Sequence, residues 1–229
     1  MIAVILQPSY IPWRGYFDQI RRADLFIFYD DVQYDKHGWR NRNQIKTASG
    51  KQWLTIPVHS QGATQGVAIR DVQIDWRTPW PEKHLKALTS AYAKAPHFRH
   101  YLPMLEEFYA RHDGCIADFT IETTIRLARE LGLHQTKFMR SSDLKGIDGH
   151  RTDRLIQILN QVGADHYISG PSAREYIEGA KFEEVGIRLE YMEYAYPEYP
   201  QLYPPFESHV SVLDLLFMTG KDALRFIAA

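Results

Sequence analysis

Apolar side chains recur along this chain in two rhythms. Ile2 to Leu6 is an unbroken apolar run ended by Gln7 and Pro8, and Leu25 to Tyr29 is a second, closed by Asp30 and Asp31. Short apolar runs bounded by turn residues predict fully buried strands. Between them, Gly15 to Arg22 places Tyr16, Phe17 and Ile20 at helical spacing. Strand, short helix, strand is the order of a parallel crossover, which predicts a right-handed βαβ unit at the start of the fold.

Further along, Trp53 to Val58 predicts another strand. The segment HSQGATQGVAIRDVQI (His59 to Ile74) reads as a hairpin or irregular excursion from the sheet. After Pro79 and Pro81 the rhythm becomes helical. Leu85, Leu88 and Tyr92 share one face, Tyr101, Leu102, Leu105, Phe108 and Tyr109 another, and a third helix runs from about Phe119 to Leu131, stopped by Gly132. Strand signals return at Lys137 to Arg140, His166 to Ser169 and Ile187 to Met192. A helix near Thr152 to Gln161 and a last one at Ser211 to Met218 alternate with them. The alternation predicts an α/β fold: a mostly parallel sheet with flanking helices and a helical middle segment covering or capping it.

Composition bounds this picture without redirecting it. A chain of 229 residues fits one domain, 1–229, with 79–135 as a helical subdomain. A formal net charge of −1 gives no global pull toward nucleic acid or an anionic membrane. No apolar run reaches membrane-spanning length, and the first residues lack the basic-then-apolar order of a secretion signal. The one cysteine, Cys115, excludes an internal disulfide framework and argues against a cysteine-based metal site. The expectation is a cytoplasmic protein with no integral membrane segment and no nucleic-acid partner. The residues name no cofactor and leave the oligomeric state open.

Three regions carry candidate chemistry. In parallel sheets ligands gather at the carboxyl ends of strands. Gln7, Tyr10, Arg14 and Gly15 lie just after the first strand, and Asp30 and Asp31 just after the second. Arg14, Arg40 and Arg42 offer forked contacts to phosphate or carboxylate, while Asn41 and Asn43 offer donors and acceptors to hydroxyls. Asp30, Asp31 and His37 are the candidates for proton transfer. The same residues have a structural reading, in which Gly15 and the prolines shape a turn and the aspartates cap or pair with arginines. Adjacent carboxylates alone are not a coordination sphere, so no metal ligand is assigned. The second region, Ser141 to Leu159, sets Ser142, Asp143, His150, Arg151, Thr152 and Arg154 around a loop and helix start. That suits an anion, or equally a plain Thr152 cap. The third, Tyr167 to Ile177, offers Ser169, Gly170 and Ser172 to an oxygen-rich group, with Ser172 and Glu175 at capping-box spacing. It is neither a P-loop nor a GxGxxG fingerprint, and the chain has no GxSxG nucleophile elbow. His209, before the last helix, can return to the same cleft.

The blocks QPSYIPWRGYFDQI, ADLFIFYDDVQY, HGWRNRNQI, SSDLKGIDGHRTDRLI, YISGPSAREYI and SVLDLLFMTG together resemble the WbqC-like protein family over nearly the whole chain. That resemblance implies an α/β protein of the kind associated with bacterial surface-polysaccharide or O-antigen gene clusters. It assigns no residue a catalytic job. The opening strand–loop–helix–strand also resembles nucleotidylyltransferase-like enzymes at the level of fold. Their paired histidines of HxGH type are missing from YIPWRGY, which puts nucleotidyl transfer in doubt. The expected function is therefore a group-transfer or modifying enzyme acting on an activated sugar or related anionic small molecule, such as a nucleotide sugar. The alternatives are a non-catalytic ligand-binding or assembly protein of that pathway, and a nucleotidylyltransferase-like enzyme.

Overall fold

In a computed structural model, which describes residues 1–36, 38–59 and 66–227, the strands are β1 (Ile2–Leu6), β2 (Leu25–Phe28), β3 (Arg42–Thr47), β4 (Gly50–Thr55), β5 (Lys137–Arg140), β6 (His166–Ser169) and β7 (Arg188–Tyr191). Five of them form one sheet in the order β5-β2-β1-β6-β7. Every pairing in it is parallel. The helices are α1 (Arg14–Arg22), α2 (Trp80–Tyr92), α3 (Phe98–Ala110), α4 (Ile116–Glu130), α5 (Arg151–Val162), α6 (Gly179–Glu184) and α7 (Val212–Thr219).

Period-two alternation within the strands explains how the helices are shared between the faces. Val4, Phe26, Phe28 and Ile168 join one apolar cluster, with Tyr16, Phe17 and Ile20 of α1 and the buried faces of α2, α3, α4 and α7. The intervening residues Ala3, Ile5, Ile27 and Tyr167 join a second cluster with Leu155, Ile158 and Leu159 of α5 and Phe182 of α6. Both sheet faces are thus apolar, which is why these strands read as continuous hydrophobic runs. Each fully buried side chain of the size of Phe17, Phe26 or Phe28 contributes about 1.5–3 kcal/mol of transfer free energy. The middle helices cover the α1 face, as the helical rhythm predicts.

Counted among the five parallel strands alone, the order is 3-2-1-4-5, the doubly wound arrangement. The chain leaves β1 toward β2 on one side and enters β7 from β6 on the other. The switch point therefore lies between the carboxyl ends of β1 and β6, at Gln7 and Gly170.

Of the two forms read for 59–74, the described residues take the irregular one, and the hairpin lies before them. The antiparallel hairpin is β3–β4, pairing Arg42 with Thr55 and Thr47 with Gly50. The last two residues of the Arg-Asn-Arg-Asn run, Arg42 and Asn43, therefore begin a strand. Val58 and Ile74 meet only in an isolated bridge, and Ile69–Asp71 is a single 3-10 turn. Residues 60–65 of that segment lie outside the described residues. The helix expected to begin at Ser172 is likewise only a 3-10 turn, Pro171–Glu175, and Ser172 makes no side-chain cap. By contrast, Ser211 does cap α7, accepting from the Leu213 N–H at 3.3 Å.

Candidate functional site

Asp30 and Asp31 follow β2, and Arg140 ends β5, its parallel neighbour, with Ser141 and Ser142 next in the chain. Parallel pairing brings these two carboxyl ends side by side. Asp30 is 0% exposed. Its Oδ1 accepts from the Ser142 N–H at 3.1 Å and its Oδ2 from the Ser142 hydroxyl at 2.9 Å. Ser141 Oγ lies 3.3 Å from Asp30 Oδ1 and donates to Asp31 Oδ1 at 2.5 Å. Arg140 Nη1 stands 3.8 Å from Asp30 Oδ2, while its Nη2 pairs with Asp118 at 2.7 Å. Burial pushes the Asp30 carboxyl above its ordinary value, against the opposing pull of the two Ser142 bonds and the Arg140 charge, and the Asp31 charge adds to the rise.

Asp31 is tied to the other face. Arg154, on the first turn of α5, reaches Asp31 Oδ2 at 2.6 Å, donates to the Ile147 carbonyl at 3.0 Å and lies over the Tyr29 ring. The second predicted region therefore meets the first at the two aspartates. Its other members separate. Thr152 is buried and accepts from the Glu178 N–H at 3.1 Å, while His150 and Arg151 are exposed. Arg151 holds φ at 50°, which a side-chain-bearing residue rarely adopts. Of the third region, Ser169 is buried at the end of β6, accepting from the Tyr167 hydroxyl at 3.3 Å. Gly170 stands at the switch point and Ser172 faces solvent.

The first loop is largely committed to internal contacts. Tyr10 is 0% exposed, with its hydroxyl between His84 Nδ1 at 2.8 Å and Tyr109 Oη at 2.7 Å. Arg14 is 3% exposed, donates to the Pro197 and Phe226 carbonyls at 2.8 and 3.2 Å, and is enclosed by the rings of Tyr196, Tyr199 and Phe206. It shares no partner with Asp30 or Asp31. Gly15 is where the Trp13 indole folds back, and a Cβ there would fall 2.3 Å from that ring. His209 stacks on the same indole with centroids 5.0 Å apart, so it does return to the first region. Asn41 Nδ2 donates to the Ile56 carbonyl at 2.8 Å, and Asn43 Nδ2 to the Tyr10 and Ile11 carbonyls at 3.1 and 2.9 Å. The latter pair holds Ile11 at φ 35°, a strained setting for a β-branched residue. Arg42 lies over the Trp53 ring at 4.6 Å.

Two residues remain at the switch point. The Gln7 carbonyl accepts from the Tyr16 hydroxyl at 3.1 Å. Arg40 feels the charges and dipoles of Tyr16, Tyr34 and Asp35, and burial lowers its pKa against their pull. His37 lies outside the described residues. Among the described residues, no three His, Cys, Asp or Glu groups converge as metal ligands. Arg154 belongs to the second region read from the sequence, whereas Asp118, Arg140 and Ser141 are members that sequence reasoning did not nominate. The signal for Arg140 and Ser141 was available, since both stand at the carboxyl end of a strand read correctly from its pattern.

The fold and this edge define an α/β protein with a doubly wound parallel sheet and a cluster of polar and charged side chains at its carboxyl end. A sequence model of the WbqC-like protein family matches residues 7–226, and the chain belongs to that family. It is 41% identical over 225 residues to a Mycobacterium tuberculosis protein named uncharacterized protein Rv1507c, covering 97% of this chain and 96% of that one. No solved structure matches the chain. Among the described residues, no helix is long and apolar enough to cross a membrane.

Proposed function

We propose that the protein is a group-transfer enzyme acting on an activated sugar or related anionic small molecule in surface-polysaccharide synthesis. Asp30 is its proton-transfer group. The observation that carries this reading is the setting of Asp30: a wholly buried carboxylate at the carboxyl end of a central parallel strand, with burial favouring the proton and Ser142 and Arg140 favouring the charge. Opposed influences of that kind suit a carboxyl to proton exchange with a bound group. As the acceptor's oxygen or nitrogen bonds to the transferred group, its proton passes to Asp30 and the donor's anionic leaving group departs. Arg140 and Arg154 are the cations nearest to that event.

A second reading is supported by a different feature of the same carboxylate. Both Asp30 oxygens already accept from Ser142, as they would in a structural bracket between β2 and β5. A non-catalytic ligand-binding protein of the pathway would need no more. The doubly wound order also suits a nucleotide at the switch point, although the HxGH histidines of nucleotidylyltransferase-like enzymes are missing.

Nucleotide sugars and acyl or aminoacyl donors, screened by thermal shift and then in acceptor pairs with mass detection, separate turnover from binding. The Asp30→Asn variant should keep ligand stabilisation and lose about 10²–10⁴-fold in turnover. Turnover at the wild-type rate in that variant would refute the role of Asp30. Binding by the wild type without any mass change would favour the second reading.

A further inference from the structure

Three arginines follow the opening strand, and they have three different fates. Arg14 is consumed by carbonyls and aromatic rings, and Arg42 lies over Trp53. Arg40 is left with two buried nitrogens, Nε and Nη1, that have no acceptor, where Arg14 has one, its Nε. Buried guanidinium donors without partners are rare, because desolvating a cation is costly unless its N–H groups are satisfied.

The position is not an accident of a loose loop. The Trp39 carbonyl on one side of Arg40 accepts from the Tyr10 N–H at 3.1 Å. The Asn41 carbonyl on the other side accepts from the Ile56 N–H at 2.8 Å. Arg40 is therefore held between two pinned peptides, beside the loop that leaves β1. Its guanidinium lies within electrostatic reach of the Tyr16 and Tyr34 hydroxyls. The Tyr16 hydroxyl is spent on the Gln7 carbonyl, which places this neighbourhood at the switch point. Tyr34 is 4% exposed, and its hydroxyl is a second buried polar atom without a partner. Unsatisfied donors on both residues define a place prepared for an acceptor-only group, with the exposed Asp35 carboxylate also within electrostatic reach of both.

We propose that Arg40 and Tyr34 form the oxyanion subsite of this sheet edge, taking the phosphoryl or carboxylate group of the substrate. The proposal rests on the group-transfer reading for the word substrate, and on the geometry alone for the anion. It assigns anion binding to one arginine of the three and adds Tyr34, which no motif singled out.

Thermal shift with inorganic phosphate, pyrophosphate and malonate, against sodium chloride at equal ionic strength, tests the proposal on the intact chain. Wild-type protein and Asp30→Asn should both be stabilised by at least one of these anions. The phosphate and malonate arms tell a phosphoryl group from a carboxylate. Arg40→Met should weaken that binding at least ~10-fold, and Tyr34→Phe ~2- to 10-fold. Without ligand, Arg40→Met should melt at least as high as wild type, because it removes unpaired buried donors while keeping the stem. If Arg40→Met does not fold, Arg40→Lys serves in its place, keeping the charge but losing the planar fork, with a several-fold weaker response. An undiminished response in Arg40→Met or Tyr34→Phe would overturn the proposal, as would no response of the wild type to any anion beyond that to chloride. Retained Arg40-dependent binding with no turnover in any substrate pair would sink the group-transfer reading and leave the subsite standing.

Discussion

Replacing Arg14 by methionine decides whether this residue serves a ligand or the fold. The substitution keeps most of the aliphatic stem and removes the guanidinium. Two charge-assisted bonds are lost, to the Pro197 and Phe226 carbonyls. Hydrogen bonds to charged groups contribute about 1.5–3 kcal/mol each. The lower end applies, because Pro197 is exposed and Phe226 half-buried, so water can replace the donor. The cation also lies 4.9 to 5.6 Å from the centroids of three rings, those of Tyr196, Tyr199 and Phe206. Such contacts add about 0.5–1 kcal/mol apiece. Against this stands the buried Arg14 Nε, which has no acceptor and whose removal is a relief of about 1–3 kcal/mol.

The net expectation is a loss of about 2–4 kcal/mol, or roughly 4–16 °C in Tm for a chain of this length. Urea unfolding followed by tryptophan fluorescence measures it, with the loss expected in the midpoint. Limited proteolysis should then find new cleavage in 194–227, the segment that Arg14 ties to the start of α1. An unchanged midpoint together with lost ligand binding would refute the reasoning and return Arg14 to the substrate.

Gly15→Ala should cost about 1–3 kcal/mol, since its Cβ would fall 2.3 Å from the Trp13 ring and drive the indole off Tyr194 and His209. The loss of near-ultraviolet tryptophan dichroism at native pH would report it, and an unaltered spectrum would contradict the packing. His84 gives a pH dependence. Burial lowers its pKa to about 4, so below about pH 6.5 the unfolded chain takes up a proton that the folded one refuses. Its contribution is therefore fully present above pH 6.5 and is lost as pH falls toward 4, about 3 kcal/mol in all. Urea midpoints across that range should fall, and His84→Gln should flatten the slope; an equal slope in the variant would disprove the assignment. We further propose that 1–229 unfolds as one unit, because a single apolar cluster joins the α1 face of the sheet to the β3–β4 hairpin and α2, α3, α4 and α7. Calorimetry should show one transition, whereas a separate melt of 79–135 would make the helices an independent subdomain.

The strands that were legible are those whose two faces are both apolar. In β2, Phe26 and Phe28 serve one core and Ile27 the other, so the pattern needed no partner to be recognised. The hairpin was not legible for the opposite reason. RNQIKT buries Asn43, Ile45 and Lys46, and GKQWLT buries only Leu54, so the apolar alternation hardly registers. Its buried polar groups are matched at long range instead. Asn43 bonds to residues 32 and 33 positions away, and the buried Lys46 is held by Gln201 and the Pro205 carbonyl. The same limit hid the fate of Arg14, whose acceptors lie 183 and 212 positions downstream. A sequence shows which residues are able to bind an anion, but their partners are chosen by the tertiary fold.

Local strain supplies what composition lacks. Ile11 at φ 35° lies on the loop leaving β1, and Arg151 at φ 50° is the first residue of α5. The unpaired Arg40 donors stand beside the first of these, and the buried Asp30 carboxyl stands at the end of β2. Each feature costs stability that a sequence selected only for folding would recover. Ile11 could be glycine, Arg40 an apolar residue, and Asp30 an asparagine still able to accept from Ser142. Scattered over the molecule, such costs would need separate explanations. Three of them, Ile11, Arg40 and Asp30, instead fall on segments that follow the carboxyl ends of β1 and β2, the side on which a doubly wound sheet binds its ligands. Violations of local consistency concentrate where a protein uses them. This physical argument supports the proposed site at that edge independently of the family to which the chain belongs.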